Sequence, residues 1–249
     1  MDFHNIHIYR NASLSEPDAT TVLAANLSKI FPHCKIDIRD PFDRFYGIHE
    51  FQRICSQAAI SEIKQPFDRQ PESNSEAAAD LFDGFMLQNV MRLAMPERER
   101  SLENVHIILT DMLTCTFDED DWRYHARTVI CGTPSMVSLS GIVEAPAKPK
   151  EYYYYLARAG TTDPNLMQKE FGDRYITHGD KRIASAILQY SIQAVFFFVT
   201  DGEPFCDNPA CRLFNFHWQE ELINNLQNPR FCNRHKAILK KFNARSHQQ

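Results

Sequence analysis

The first part of the chain shows strand-like and helix-like patterns in turn. Residues 3–9 alternate weakly between apolar and polar side chains and predict a strand. Apolar side chains at spacings of three and four through residues 13–31 predict a helix, with Pro17 in its first turn. Residues 34–40 predict a second short strand. The pattern therefore predicts a β-α-β unit over residues 1–40.

The pattern then stays helical apart from one polar break. Residues 47–63 predict a second helix, and the polar, proline-containing residues 64–76 predict a loop. Residues 76–95 predict a strong helix that is interrupted by Gly84 and ends before Pro96.

The middle of the chain is typical of strands. Residues 104–111 are apolar and β-branched, and residues 126–132 and 135–146 predict a hairpin around Gly-Thr-Pro. The acidic residues 117–122 predict a solvated turn. Residues 144–156 contain two prolines and four consecutive tyrosines, so we predict an extended segment with the tyrosines on alternate faces.

Helical spacing returns in the last third of the chain. A long apolar helix is predicted from Asp180 to the phenylalanine run that ends at Phe198. Residues 216–229 and 231–242 predict two more helices, and residues 243–249 predict a frayed tail.

Composition narrows the protein class. The chain has 249 residues, 43% of them hydrophobic and 24% charged, which suits a globular protein with a core that needs no disulfide. The net charge of -5 gives no reason to expect a nucleic acid or membrane partner. The partner is unknown from the sequence, and a protein or peptide is the candidate. Seven cysteines without an export signal predict a reducing cytoplasm, where clustered cysteines serve as metal ligands.

One cysteine cluster has the spacing of a metal site. Cys206, Cys211, Cys232 and His235 follow the pattern C-x4-C-x20-C-x2-H. Zinc in a structural site takes four thiolate or imidazole ligands in a tetrahedron, and the intervening predicted helix returns the chain to the first pair. The sequence therefore predicts one structural zinc ion held by these four residues.

Other interpretations of the cluster stay open. The cysteines could be buried free thiols beside a surface histidine, because free cysteine often packs as a small hydrophobic residue. His217 is a substitute ligand in the intervening segment. Iron is an alternative metal, which would give the protein visible colour.

From residue 202 to 235 the chain resembles the archaemetzincins, a branch of the metzincin metalloproteases. In that family the motif HExxHxxGxxH is followed directly by a cysteine, then by a segment close to DNPGC, and later by a cysteine pair. The sequence CDNPAC at residues 206–211 matches that segment, and FCNRH at residues 231–235 stands where the final pair would be, with His235 in place of a cysteine. The resemblance implies a structural zinc site beside a catalytic one.

The catalytic motif of that family is not preserved. With Cys206 placed on the family cysteine, the three zinc ligands fall on Val195, Val199 and Phe205 and the catalytic glutamate falls on Phe196. Only the motif glycine, at Gly202, has a counterpart. Because a zinc peptidase needs three protein ligands, a bound water and a general base, the resemblance implies a protein that has lost the catalytic zinc.

Other side chains offer chemistry on their own. His125 and Cys131 could pair as base and nucleophile, although Cys131 on a strand more often packs in a core. Glu144 and Lys148 could act in a cleft or form a surface ion pair.

The segment before the long helix offers a second pair. His178 and Asp180 could bind a metal or act as acid and orienting group, whereas Asp180 alone is typical of a helix cap. The acidic residues 117–122 could bind a hard cation, but their spacing fits no known loop.

These observations give two functional hypotheses on one fold. The patterns and the resemblance together predict an α/β (α+β) fold class, a metzincin-like mixed twisted sheet with flanking helices over residues 1–200. A C-terminal zinc-binding helical segment, residues 201–249, is predicted to pack on the same domain and to form a zinc-knot subdomain. The first hypothesis is a pseudoenzyme from a prokaryotic metallopeptidase-like group that acts as a binding or scaffold protein. The alternative is a hydrolase with a relocated active site near His125, Glu144, His178 and Asp180.

Overall fold

The computed structural model describes residues 3–11, 17–60, 81–159 and 164–245. Its strands are β1 (Asn5–Tyr9), β2 (Lys35–Arg39), β3 (Leu81–Asp83), β4 (Asn104–Thr110), β5 (Leu113–Asp118), β6 (Arg123–Arg127), β7 (Val129–Ile130) and β8 (Ser135–Ser138). Its helices are α1 (Pro17–Ile30), α2 (Phe42–Tyr46), α3 (Ile48–Cys55), α4 (Gly84–Ala94), α5 (Leu139–Glu144), α6 (Lys150–Ala159), α7 (Pro164–Phe171), α8 (Ile183–Val199), α9 (Gln219–Gln227) and α10 (Asn233–Arg245). The predicted loop at residues 64–76 lies outside the described residues.

The strands form two sheets. Five strands pair in the order β2-β1-β4-β8-β7, and three pair in the order β3-β5-β6. In the larger sheet the first four strands are parallel, and β7 is an antiparallel edge strand. The mixed α/β class and the hairpin expected between β7 and β8 are confirmed.

The predicted β-α-β unit is confirmed. Ile6 of β1 lies opposite Ile36 of β2, and parallel strands of this kind need a crossover, which α1 provides. Helices α1 and α8 pack on one face of the sheet over Ile6 and Val105. Helices α3 and α4 cover the other face, in a core that includes Ile108 and Met136.

The helix predicted at residues 76–95 is shorter than expected. It begins at Gly84 rather than being interrupted there, and a short strand precedes it. The Asp83 carboxylate accepts a hydrogen bond from the Met86 amide at 2.9 Å, which caps the helix. Glycine suits this position because a Cβ atom would lie 2.9 Å from Ile130 Cδ1 and 3.2 Å from the Cys115 carbonyl oxygen, so the start of α4 packs closely against β5 and β7.

Two predictions of extended structure in the middle of the chain are wrong. Only the first part of residues 135–146 is a strand, because the Ser138 hydroxyl accepts a bond from the Gly141 amide at 2.8 Å and starts α5. The tyrosine run lies in helix α6, where Tyr152 and Tyr155 both pack against Phe171, with ring centroids 6.0 and 5.9 Å away. Residues three apart share a helix face, so these two tyrosines are half-buried.

The C-terminal segment packs into the main core. Cys211, Leu213, Leu222 and Phe242 belong to the same buried cluster as the strands of the larger sheet. Helix α8 runs through this cluster and is buried on almost all sides. Helix α10 continues to residue 245, so the first three residues of the predicted tail are helical, and the rest of that segment lies outside the described residues. Within the described residues, no helix has the length and apolar character to cross a membrane.

Candidate metal centre and adjoining cavity

The turn that ends α8 directs the chain towards the cysteines. Asp201 and Gly202 have φ values of 54° and 107°, in the left-handed region that ends a helix. The Thr200 hydroxyl lies 2.6 Å from the Phe196 carbonyl oxygen and 2.8 Å from the Glu203 carbonyl oxygen, and these two acceptors share its single proton. This tight turn places the following residues over the start of α10.

The structure brings the four predicted ligands together. Sγ of Cys206 lies 3.9 Å from Sγ of Cys232, and Nδ1 of His235 lies 3.7 Å from Sγ of Cys211 and 3.2 Å from Sγ of Cys232. One ligand atom from each residue falls within 4.8 Å of the others. Zinc–sulfur bonds of about 2.3 Å and zinc–nitrogen bonds of about 2.0 Å place tetrahedral ligand atoms about 3.5–3.8 Å apart. The donor set of this Cys3His cluster therefore fits one zinc ion.

A disulfide bond within the cluster does not fit the sulfur positions. All seven cysteines are free. The 3.9 Å between the Cys206 and Cys232 sulfurs is almost twice the length of a disulfide bond, which is about 2.05 Å.

Protonation at the cluster also suits a metal. Burial, followed by the charge of Arg234, lowers the pKa of His235, so its imidazole is neutral at pH 7. Its Nδ1 faces the sulfurs, while Nε2 is buried with no hydrogen-bond partner among the described residues. Burial raises the pKa of the Cys211 thiol to about 11, so this sulfur becomes a thiolate at neutral pH only beside a cation.

Backbone amides and one side chain shape the cluster. The amides of Asn208 and Cys232 donate to the sulfurs of Cys206 and Cys211, both at 3.4 Å. The Asn225 side chain of α9 donates to the carbonyls of Pro209 at 3.0 Å and Cys211 at 3.2 Å. Such bonds fix the ligands in place, as is usual around protein metal sites. His217, the substitute ligand, is exposed and lies outside the cluster.

A cavity of about 770 Å³ adjoins this region. One side is the continuous segment 123–131, which forms β6 and then β7. The other sides are α8, the end of α5 and the segments on either side of the cysteine turn. Strands β6 and β7 are the edge strands of their two sheets, so the cavity runs beside two unpaired strand edges.

Helix α8 presents Tyr190, Gln193 and Phe197 to the cavity. In contrast, Val195 and Phe196 are fully buried in the main core. The first two zinc ligands of the HExxHxxGxxH motif are four residues apart. On the cavity side of α8, the two residues with this spacing are Gln193 and Phe197. The ungapped placement on Val195 and Val199 puts those positions on another face of the helix, because two residues turn a helix by about 200°.

Gln193 carries an unpaired polar atom in this cavity wall. Its side-chain amide group donates to the Phe214 carbonyl at 2.9 Å, which fixes the orientation of the amide. Its Oε1 is buried and has no hydrogen-bond partner among the described residues. A buried acceptor without a partner is costly, so Oε1 is suited to accept a hydrogen bond from a ligand.

Two of the candidate catalytic residues line the cavity. His125 lies on the β6 wall, where its Nε2 is 2.9 Å from Asp121 Oδ2, and Glu144 lies at the end of α5. The carboxylate of Glu144 is 3.7 Å from Lys148 Nζ, which agrees with the predicted ion pair. Cys131 also lines the cavity, but burial raises its thiol pKa to about 12, which is unfavourable for a nucleophile.

The other two candidates lie elsewhere. His178 is exposed, and neither it nor Asp180 lines the cavity. The Asp180 carboxylate accepts bonds from the backbone amide of Arg182 at 2.8 Å and from its guanidinium. Burial alone would raise the pKa of Asp180, but the Arg182 bonds outweigh it and lower the pKa. The N-cap position of α8 is Arg182 rather than Asp180, so Asp180 is not the predicted helix cap and instead forms an ion pair with Arg182 just before the helix.

Asp118, Asp121 and His125 form a second group whose ligand atoms lie within 4.8 Å of one another. Asp121 already accepts bonds from Arg123 at 2.6 Å and from His125. The group is at least partly exposed, and its contacts agree with the predicted solvated acidic turn.

Of the comparisons with known proteins, the family match agrees with the sequence pattern. A model of the family described as "Probable metallopeptidase family (DUF6775)" matches residues 2–242. Among solved structures, archaemetzincin from Methanopyrus kandleri is similar, with 12% identity and a TM-score of 0.48 over 100% of this chain and 97% of that one. A search of curated proteins gave no match. The family match confirms the expectation of a metallopeptidase-like protein.

Proposed function

The chain belongs to the probable metallopeptidase family (DUF6775), and we propose that within it this protein is a non-peptidase binding protein with one structural zinc ion. One observation carries the proposal. The cavity-facing positions of α8, which are Tyr190, Gln193 and Phe197, hold no imidazole, thiolate or carboxylate. A hydrolytic zinc site needs three such ligands and a base, and α8 offers none of them to the cavity.

The zinc ion is assigned to the Cys3His cluster. Four protein ligands complete a tetrahedron and leave no open position for water, which is the arrangement of structural zinc sites. The ligands come from the turn after α8 and from the region of α10, so a bound zinc ion would join these two parts of the chain. None of the seven cysteines is in a disulfide, and this also leads us to propose a reducing cytoplasm as the location of the protein.

The ligand proposed for the cavity is an extended polypeptide segment. The backbone edges of β6 and β7 lie along one side and can accept a further strand. Residues 123–131 span about 30 Å when extended, enough for several peptide residues. The Oε1 atom of Gln193, on the α8 wall, supplies an acceptor for a peptide N–H group.

A relocated hydrolase is the second candidate. The observation in its favour is that His125 and Glu144 both line the same cavity. In that case the two side chains would supply the base and acid, and the reaction would not use the Cys3His cluster.

Metal content and hydrolysis separate the two candidates. We expect one zinc ion per chain in protein purified without added metal, and no cleavage of a random peptide library. Loss of that metal in the Cys211→Ser variant would locate it in the cluster. Two metal ions per chain, or cleavage that disappears in Glu144→Ala and His125→Ala, would overturn the non-peptidase proposal. Strong visible absorption would show that the bound metal is iron rather than zinc.

A further inference from the structure

The tip of the β5–β6 hairpin exposes an unusual tryptophan. Trp122 is 79% exposed and has a φ of 55°. The left-handed region is unfavourable for a bulky side chain, and such positions are usually held by glycine or asparagine. Neither burial nor turn geometry therefore accounts for tryptophan at this position.

The aromatic tip, defined as Phe117, Trp122 and Tyr124, is continuous with the cavity. The Phe117 ring contacts Trp122 and Tyr124 edge-to-face, with centroids 5.9 and 5.2 Å away. Tyr124 itself lines the cavity. A polypeptide that lies along β6 would therefore extend over the aromatic tip.

The tip is strongly acidic. Asp118, Glu119, Asp120 and Asp121 precede Trp122 in the turn. The bonds from Arg123 and His125 go to Asp121, while the side chains of Glu119 and Asp120 are exposed. The Asp83 carboxylate also lies at this end of the cavity, where it accepts a hydrogen bond from the Tyr124 hydroxyl at 3.3 Å. The charge balance of this end of the cavity is negative even with Arg123 and Arg127 counted.

We propose that the aromatic tip binds a lysine or arginine side chain of the polypeptide held in the cavity. The cation would lie against the Trp122 ring and within reach of the Glu119 and Asp120 carboxylates. An exposed indole attracts a cation through its ring face, and the surrounding carboxylates add a favourable field. This inference rests on the proposed function, because it assigns a preference to a polypeptide in that cavity.

Selection from a random peptide library tests the preference. The full-length protein is immobilised, and peptides that bind are sequenced. We expect lysine or arginine to be enriched at one position, and a selected peptide to bind more weakly as NaCl rises from 0.05 to 0.5 M. Replacing that basic residue by glutamine, or Trp122 by alanine, should weaken binding about fivefold.

Matched variants distinguish recognition from folding. Asparagine tolerates positive φ, so Trp122→Asn should keep the melting temperature and still lose about fivefold in affinity. Asp120→Asn should weaken the binding of peptides that carry the basic residue and leave the binding of other peptides unchanged. Tyr154→Ala and Asp207→Asn, which alter an exposed ring and an exposed carboxylate elsewhere, should leave binding unchanged.

The outcomes separate this inference from the proposed function. Peptides that bind without a basic preference, with an affinity that Trp122→Asn does not change, would overturn the inference and leave the cavity as a polypeptide site. If no peptide is selected, both proposals fail.

Discussion

The Sγ atom of Cys211 lies 3.7 Å from Nδ1 of His235, although the two residues are 24 positions apart in the chain. The turn after α8 and the first turn of α10 meet at this point. A metal ion bound here would hold both segments on the core.

Replacing Cys211 by serine tests this role. The hydroxyl is a much poorer zinc ligand than a thiolate, so we expect the metal to be lost and the free energy of unfolding to fall by about 3 kcal/mol or more. Metal analysis and chemical denaturation measure the two effects. Cys34→Ser, which removes a half-buried thiol outside the cluster, should keep the metal. Retention of one zinc ion by Cys211→Ser would contradict the assignment.

Gln193 can be altered without a large change in stability. Gln193→Leu loses the bond to the Phe214 carbonyl but also removes the unpaired Oε1, so the free energy of unfolding should change by about 1 kcal/mol or less. Peptide affinity should fall about tenfold, because a buried acceptor for the ligand is gone. Thermal denaturation and a binding titration of one preparation give both values. Unchanged affinity would remove Gln193 from the binding site.

Stability should depend on pH through His106. This side chain is fully buried in β4, and burial, helped by the nearby His7, lowers its pKa to about 4. In the unfolded chain this histidine binds a proton near pH 6.5, whereas in the folded protein it binds one only near pH 4. The free energy of unfolding therefore falls as the pH drops from about 6.5 to 4, by up to about 3 kcal/mol. Urea unfolding across this range measures the slope.

A histidine comparison isolates this effect. His106→Gln should show a smaller loss of stability between pH 6.5 and 4, even though the substitution itself destabilises the fold. His178→Gln, at an exposed position, should keep the slope of the unaltered protein. Equal slopes for all three proteins would show that His106 does not set the pH dependence.

Arg182 organises the segment before α8. Its guanidinium donates to the carbonyls of Gly172 at 3.0 Å, Asp173 at 2.9 Å and Tyr175 at 2.7 Å, as well as to Asp180. Lysine keeps the charge but cannot spread its donors over these acceptors, so Arg182→Lys should lower the free energy of unfolding by about 2 kcal/mol. Arg53→Lys alters an exposed pair with Glu50 and should leave the free energy of unfolding almost unchanged. Equal effects would contradict this role.

Long periodic segments of the fold could be predicted from the sequence. The β-α-β unit, β4, the β7–β8 hairpin and helices α8 to α10 follow hydrophobic spacing that is local to each segment. The sequence does not predict helix α6, because its tyrosines suit a strand equally well and only their contacts with Phe171 favour the helix. The short strand β3 lies in a segment with helical spacing, and its partner β5 comes much later in the chain, so local spacing does not reveal the strand.

The metal cluster could be predicted from the sequence, whereas the lining of the cavity could not. By itself the sequence determined which four residues can bind a metal, because each ligand pair is close in sequence and a turn or helix sets its separation. Only the tertiary structure decided that Gln193 and Phe197, rather than Val195 and Val199, are the α8 pair that faces the cavity. Every residue turns a helix by about 100°, so the outward face depends on how α8 packs against the sheet, which spacing along the chain does not specify.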